Sequence, residues 1–478
     1  MQATRRDVLG GLSATAAGLA GLRLLASSPA RAQPMILGYG PLVPDPARLL
    51  DLPAGFSYRI VSRQGEPMSD GLVTPAAFDG MACFPVRSSR DRVALVRNHE
   101  MWPNLTEGGA FGPGHALARN IPRAKIFDFD ANGAPKLGGT TTLIWDMRRN
   151  ALVRSNLSLA GTCGNCAGGP TPWGSWLTCE ETIESGAPLV SRSHGFVFEV
   201  SSRAQGLADP VPLTAMGRFV HEAAIVDPRT GIVYLTEDNP SGLFYRFLPN
   251  VRGQLRRGGQ LQALALIDQR DRDLRNWPAD GSRFAGQGSV LPLGGSVAVR
   301  WIDMDGVDSP AGDLKDRGFA KGALRFARGE GITLGRSRGR TELYFCCTMG
   351  GPRHLGQVWR YRPSAAEGSR GEGASPGRLD LFVESTDPAR LKNCDNVTVT
   401  PWGGLILCED GPDDQSQYLR GVTPDGRLYT LAANSYSEFA GACFSPDGRT
   451  LFVNAQTPGI TFAINGPWRS LSSRPPPT

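Results

Sequence analysis

Long hydrophobic runs are missing from this chain of 478 residues. No stretch of 18 residues is both apolar and free of charge, which excludes a conventional membrane-spanning helix and any stable insertion by that route. The most apolar segment lies near the N-terminus and is broken by Arg23. Extended 3.6-residue periodicity is also scarce beyond that segment. An all-helical domain is therefore excluded, and only short stretches such as Pro46 to Leu50 or Asp387 to Leu391 could form brief helices. The nine cysteines are odd in number and scattered, so they do not form the framework of a disulfide-stapled scaffold. Cys163 and Cys166 have the spacing of half a zinc site, but no second such pair follows and glycines surround them. They read as packing residues. No ordered Ser, His and Asp set and no glycine-rich phosphate loop is present, which removes the usual signatures of covalent hydrolases and nucleotide-binding domains.

What is present begins at the N-terminus. Arg5 and Arg6 precede the weakly apolar stretch, which ends in Ala30-Arg31-Ala32. A charged region, an apolar region and a small-residue cleavage site in that order make residues 1–32 an export signal, and the arginine pair points to the twin-arginine machinery as a partner. The product is expected in the periplasm or outside the cell. Removing four arginines and one aspartate lowers the formal charge from +6 to +3, so nothing in the mature chain favours nucleic acid. Residues 33–478 are read as a single domain, expected to be a monomer.

Sixty glycines and 37 prolines are spread along the chain, separated by short runs of Val, Ile, Leu, Phe and Tyr. That texture implies an all-β fold. An internal repeat sharpens it: Thr171-Pro-Trp-Gly-Ser-Trp-Leu-Thr-Cys-Glu-Glu181 and Thr400-Pro-Trp-Gly-Gly-Leu-Ile-Leu-Cys-Glu-Asp410 align without a gap. Four further segments share the pattern of turn, short apolar strand and polar end, closing at Asn98-His99-Glu100, Thr236-Glu237-Asp238, Cys346-Cys347-Thr348 and Asn454-Ala455-Gln456. A recurrence of about fifty residues predicts a β-propeller. Six blades are expected, with five or seven as alternatives and with insertions in the long steps from Glu100 to Glu180 and from Glu237 to Thr348.

In such a fold, polar residues that close the inner strands meet at the axis. Acids repeated there would repel one another unless cations neutralise them. Glu100, Glu180, Glu181, Glu222, Glu237, Asp238, Asp395, Glu409, Asp410 and Glu438 are therefore candidate ligands of a multi-metal site. A thiolate beside them, Cys179, would add a preference for iron or zinc over calcium alone. Cys408 occupies the equivalent repeat position.

The blocks Asn165-Cys-Ala-Gly-Gly169, Thr171-Pro-Trp-Gly174, Gly217-Arg-Phe-Val-His-Glu-Ala223, Asp395-Asn-Val397, Thr400-Pro-Trp-Gly403 and Glu438-Phe-Ala-Gly441 resemble the PhoX-type alkaline phosphatase family, of which the chain would be a shorter member. The resemblance spans about residue 50 to residue 465. It implies an exported propeller that hydrolyses phosphate esters with Fe(III) and Ca(II), with Cys179 on iron and with Glu222, Asp395 and Glu438 among the ligands beside the acids at 180, 181, 237 and 409. Asn165 and Arg218 are the candidate phosphate donors, with Asn98 and Arg353 also available. His221 is the candidate proton carrier, with His99 and His354 as weaker choices. Lys392 stands where the large members carry a phosphate-binding arginine ahead of a metal-binding carboxylate. A calcium-dependent lactonase, a phosphodiesterase or a purely calcium-binding propeller are the alternatives.

Overall fold

The two copies of Thr-Pro-Trp-Gly build the same tight turn. Gly174 and Gly403 sit at φ 87° and 90°, a conformation that only glycine adopts without strain. Their amides bond back to Thr171 O and Thr400 O at 3.2 and 3.0 Å. The threonine hydroxyls accept the next amides, Ser175 N and Gly404 N. Each turn then launches a short buried strand, Ser175–Glu180 or Leu405–Glu409.

These turns belong to a computed structural model that describes residues 37–267, 273–337, 339–411 and 415–468. Residues 1–32, expected to be an export signal, lie outside them. Twenty-six strands and one eight-residue α-helix, Leu314–Lys321, dominate the described residues. Neither Pro46 to Leu50 nor Asp387 to Leu391 forms a helix; both are turns. No described helix is long and apolar enough to cross a membrane.

The strands pair antiparallel into sheets that follow chain order. Their innermost members are Phe78–Pro85, Asn165–Pro170, His221–Val226, Gly329–Ser337, Cys394–Val399 and Phe439–Phe444. Each touches the next, and the last touches the first, so they form a closed ring. The expected all-β propeller is thus the observed fold. The sheet ending the ring is completed by the early strand Ser57–Arg63, which pairs with Ile460–Asn465 and so closes the ring between early and late segments of the chain.

The long step from Glu237 to Thr348 contains an insertion. Its strand Ser296–Asp303 pairs with Gly259–Leu266 on one side and Gly377–Glu384 on the other, fusing two neighbouring sheets into one of nine strands. Five sheets therefore carry the six inner strands. Apolar side chains fill the space between sheets, for example Tyr234, Phe244, Phe345 and Trp359 in the largest cluster.

Close packing at the axis demands small residues. A Cβ on Gly80 would stand 2.6 Å from Ala167 Cα, and one on Gly331 would stand 2.7 Å from Asn396 Cα. Below the ring's acidic end, the inner strands leave only a cavity of about 110 Å³.

Candidate metal centre

Every inner strand starts with one residue paired to the end of its neighbour. The pairs are Phe78 with His99, Asn165 with Glu180, His221 with Glu237, Gly329 with Cys347, Cys394 with Glu409 and Phe439 with Ala455. The register then shifts, immediately in five strands and one residue later in the sixth. A bulge of this kind re-aims the side chains beside it.

Two tiers of residues follow from that geometry. The second residue of each inner strand gives Asp79, Cys166, Glu222, Glu330, Asp395 and Ala440. The residue leaving each neighbouring strand gives Glu100, Glu181, Asp238, Thr348, Asp410 and Gln456. Ligand atoms of Asp79, Glu100 and Cys166 lie within 4.8 Å of one another, as do those of Cys166, Glu181 and Glu222 and those of Glu222, Glu330 and Asp395. The acids and thiol of the first tier are buried. Glu100, Glu181, Asp238 and Asp410 are half-buried, so the cluster meets solvent on their side.

Neutral and basic groups fill the gaps in the acids. Thr348 donates to Glu330 at 2.7 Å. Gln456 donates to Asp79 at 3.1 Å and to Glu100 at 2.5 Å. Arg328 grips Asp238 through two bonds of 2.7 and 2.8 Å, lies 3.2 Å from Glu330 and reaches towards Asp410. Glu438 stands beside Asp410.

The electrostatics are those of a cation site. Burial, followed by the charges of Glu330 and Asp395, pushes the Glu222 carboxyl well above the usual range. Burial raises Glu181, Glu330 and Asp395 in the same way, and Asp79 to about 7. Both oxygens of Glu222 and one oxygen each of Asp79 and Asp395 are buried without a hydrogen-bond donor. Burying such groups unpaired is costly, and a bound cation is what removes the cost. Burial, then Asp79 and Glu222, also raises the Cys166 thiol, so a thiolate there requires a compensating cation.

Of the residues singled out from sequence, Glu181, Glu222 and Asp395 come together in the cluster, with Asp238 and Glu438 at its border. Glu100 and Asp410 join them. Others go elsewhere. Cys179 packs in an apolar cluster with Leu177, Val197, Phe219 and Leu235, and the thiol that meets the acids is Cys166. Glu180 is saturated by Cys163 N, Gly195 N, Phe196 N and His194 Nδ1, the last at 2.6 Å. His194 in turn meets Asp128 at 3.0 Å. Glu237 accepts from Leu243 N and Tyr245 OH, and Glu409 from Lys392 N and Arg420. These three acids occupy the same place at the ends of their strands, and all three brace turns rather than face the axis.

The expected donors are likewise engaged. Asn165 bonds Thr178 and Thr162. Arg218 gives its protons to carbonyls of His194, Ser309, Pro310 and Ile183. His221 donates its Nε2 proton to Gly217 O and stacks on Phe219, and burial lowers it to about 3, so it stays neutral. Asn98 holds the carbonyls of Cys166 and Ala167. Lys392 reaches Gln415 at the surface. The arginine two residues ahead of a cluster carboxylate is Arg328, before Glu330. The signal that could have found Cys166, Asp79 and Glu330 is the small residue that follows them, as in Asp79-Gly80, Cys166-Ala167 and Glu330-Gly331.

A propeller with a thiol and crowded carboxylates converging at one end of its axis is the class that fold and site define. A family model described as alkaline phosphatase PhoX matches residues 37–459. The chain belongs to that family. Among solved structures, PhoX of Pseudomonas fluorescens, in complex with the transition-state analogue vanadate, superposes with a TM-score of 0.65 at 19% identity, covering 90% of this chain and 98% of that one. It shares the fold. A gluconolactonase of Xanthomonas campestris (14% identity, 90% and 99% covered) and a periplasmic gluconolactonase of Pseudomonas aeruginosa (13%, 84% and 89%) each give a TM-score of 0.38. No curated protein matches.

Proposed function

We propose that this chain is an exported, metal-dependent phosphatase that hydrolyses phosphate monoesters at the axial cluster. The carrying observation is Glu222: both its oxygens are buried without donors, and it belongs to two of the three ligand groups. Asp79, Glu100, Cys166, Glu181, Glu222, Glu330 and Asp395 would hold the metals, with the thiol favouring iron on its side and the all-oxygen groups suiting calcium. When bound, the metals would neutralise the phosphate dianion and activate an oxygen nucleophile.

The chain's own groups complete the site. Arg328 carries a fixed guanidinium in the half-buried tier, where substrate can reach it. Asp238 takes its Nε and Nη2 protons, so Nη1 meets a phosphate oxygen from a fixed direction in a way that a lysine would not. Asp238 and Glu330 hold the guanidinium in place, and Glu330 is the first of the charges that keep it protonated. Gln456 and Thr348 orient Asp79, Glu100 and Glu330 through hydrogen bonds. The half-buried side of the cluster admits the ester.

The test is elemental analysis of the exported protein together with hydrolysis of a chromogenic phosphomonoester. Iron and calcium with turnover lost in Cys166→Ala support the reading. Calcium without iron and no phosphate release would overturn it in favour of a binding or lactonase-like propeller.

A further inference from the structure

Seven large apolar side chains are strongly exposed among the described residues, and three of them stand on the two loops that leave the open side of the cluster. Trp102, 41% exposed, lies two residues beyond Glu100, and Leu105, 39% exposed, follows it. Leu189, 36% exposed, lies on the loop that begins at Glu181. Two bonding systems hold these loops together. Gly164 N donates to Met101 O and Glu181 N donates to Gly164 O, at 2.9 and 2.8 Å, so the loops depart side by side from the half-buried tier. Further out, the buried Lys136 ammonium donates to Pro103 O at 2.8 Å and to Leu189 O at 2.9 Å. A cation with no ion pair among the described residues thus fixes the backbone beside Trp102 to that of Leu189.

Exposed apolar residues scattered singly need no explanation. A tryptophan and two leucines on loops clamped together beside a solvent-facing phosphate site are a different case. The opposite part of the tier carries Arg328 and its acids. A monoester whose phosphate lies at the cluster directs its organic group towards solvent, on the half-buried side from which the loop bearing Trp102 departs.

We infer that Trp102, Leu105 and Leu189 form an apolar shelf that receives the organic part of the ester, selecting aryl and other apolar phosphomonoesters over small polar ones. The inference rests on the phosphatase reading above. Trp102 supplies most of the shelf, because its ring offers a broad flat face at little conformational cost. Leaving groups are read by apolar contact there, and the phosphate is read by charge.

The experiment uses the metal-loaded, exported protein and two substrates, 1-naphthyl phosphate and glycerol 2-phosphate. The quantity read is the ratio of their kcat/KM values. Trp102→Ala should lower the ratio about tenfold, chiefly through KM for the naphthyl ester, which is the usual scale for a lost apolar contact. Leu189→Ser should lower it by about threefold on the same basis. Val153→Ala, at an exposed apolar site on the outermost strand of its sheet, serves as the control and should leave the ratio alone. A parental enzyme that turns over both esters and a ratio unmoved by Trp102→Ala would overturn the shelf and leave the phosphatase standing. A parental enzyme that hydrolyses neither ester overturns the phosphatase reading, and the shelf falls with it.

Discussion

Replacing Glu222 by glutamine should make the metal-free protein more stable while weakening its hold on metal. Glu222 is fully buried, and its oxygens lack donors. Its ligand atom lies within 4.8 Å of those of Glu330 and Asp395 in one group and of Cys166 and Glu181 in another. At an effective dielectric constant of about 20, each like-charge pair at that separation costs about 3.5 kcal/mol. Protonation relieves part of this, and the amide leaves its own buried dipole to be satisfied, so a net gain of about 2 kcal/mol is expected for the metal-free variant. The sign with pH follows from the raised carboxyl. Burial and neighbouring charges keep Glu222 protonated in the fold above its ordinary value of 4.5. The penalty is therefore absent below that value and grows as the pH rises. Urea unfolding of chelator-stripped parent and variant, at about pH 5 and about pH 8, should show a gap that widens at the higher pH. With metal restored the order should reverse, because the parent gains ligand bonds that the amide cannot match. A variant destabilised equally with and without metal would refute the reasoning.

The other predictions concern the residues whose places the fold decided. Cys166→Ser should abolish iron binding with the fold retained, whereas Cys179→Ala should keep metal and activity and lose about 1 kcal/mol of stability, as expected for a small truncation in an apolar cluster; the same elemental analysis and urea melt read both. His194→Gln should cost about 3 kcal/mol, because it leaves Glu180 and Asp128 buried without their shared cation. Burial alone would lower His194, but Glu180 and Asp128 outweigh it and hold the imidazole up to about 12. Its contribution is thus complete below its ordinary 6.5 and declines as the pH rises towards that raised value, which unfolding of parent and variant across alkaline pH would show. Arg328→Lys should keep the metals and raise KM for the phosphomonoester by about tenfold, since a point charge replaces a guanidinium of fixed direction; unchanged kinetics would remove Arg328 from the phosphate site.

Much of the architecture is legible in the residues. Glycine and proline at regular intervals, the paired Thr-Pro-Trp-Gly turns and the fifty-residue recurrence are local signals. Turn geometry depends only on the few residues that form it, so a linear reading recovers the propeller. The presence of an acid-rich site is legible for the same reason, because Glu222, Asp395 and the doublets at 180 and 181, 237 and 238, and 409 and 410 recur at matching places. Glu181 and Glu222 follow directly from that reading. The fusion of two sheets by Ser296–Asp303 does not, because its pairing partners lie more than thirty residues away on one side and about eighty on the other.

Which member of each doublet faces the axis was settled by the tertiary structure alone. Neighbouring residues on a strand point to opposite sides, and a bulge shifts that phase by one. An acid at the strand end, such as Glu180, therefore braces a turn with His194, while Glu181 meets Cys166 and Glu222. The same phase sends Cys179 into the apolar core and brings Cys166, from a glycine-rich segment that looks like packing, to the carboxylate cluster. Arg328 reaches Asp238 across the nine-stranded sheet, from a position 90 residues further along the chain. The sequence thus determined that carboxylates, thiols and tight turns would repeat around a ring. Strand phase and the closure of that ring determined which of them share one buried point, because side-chain direction in a sheet is set by pairing between distant segments and not by the identity of the residue itself.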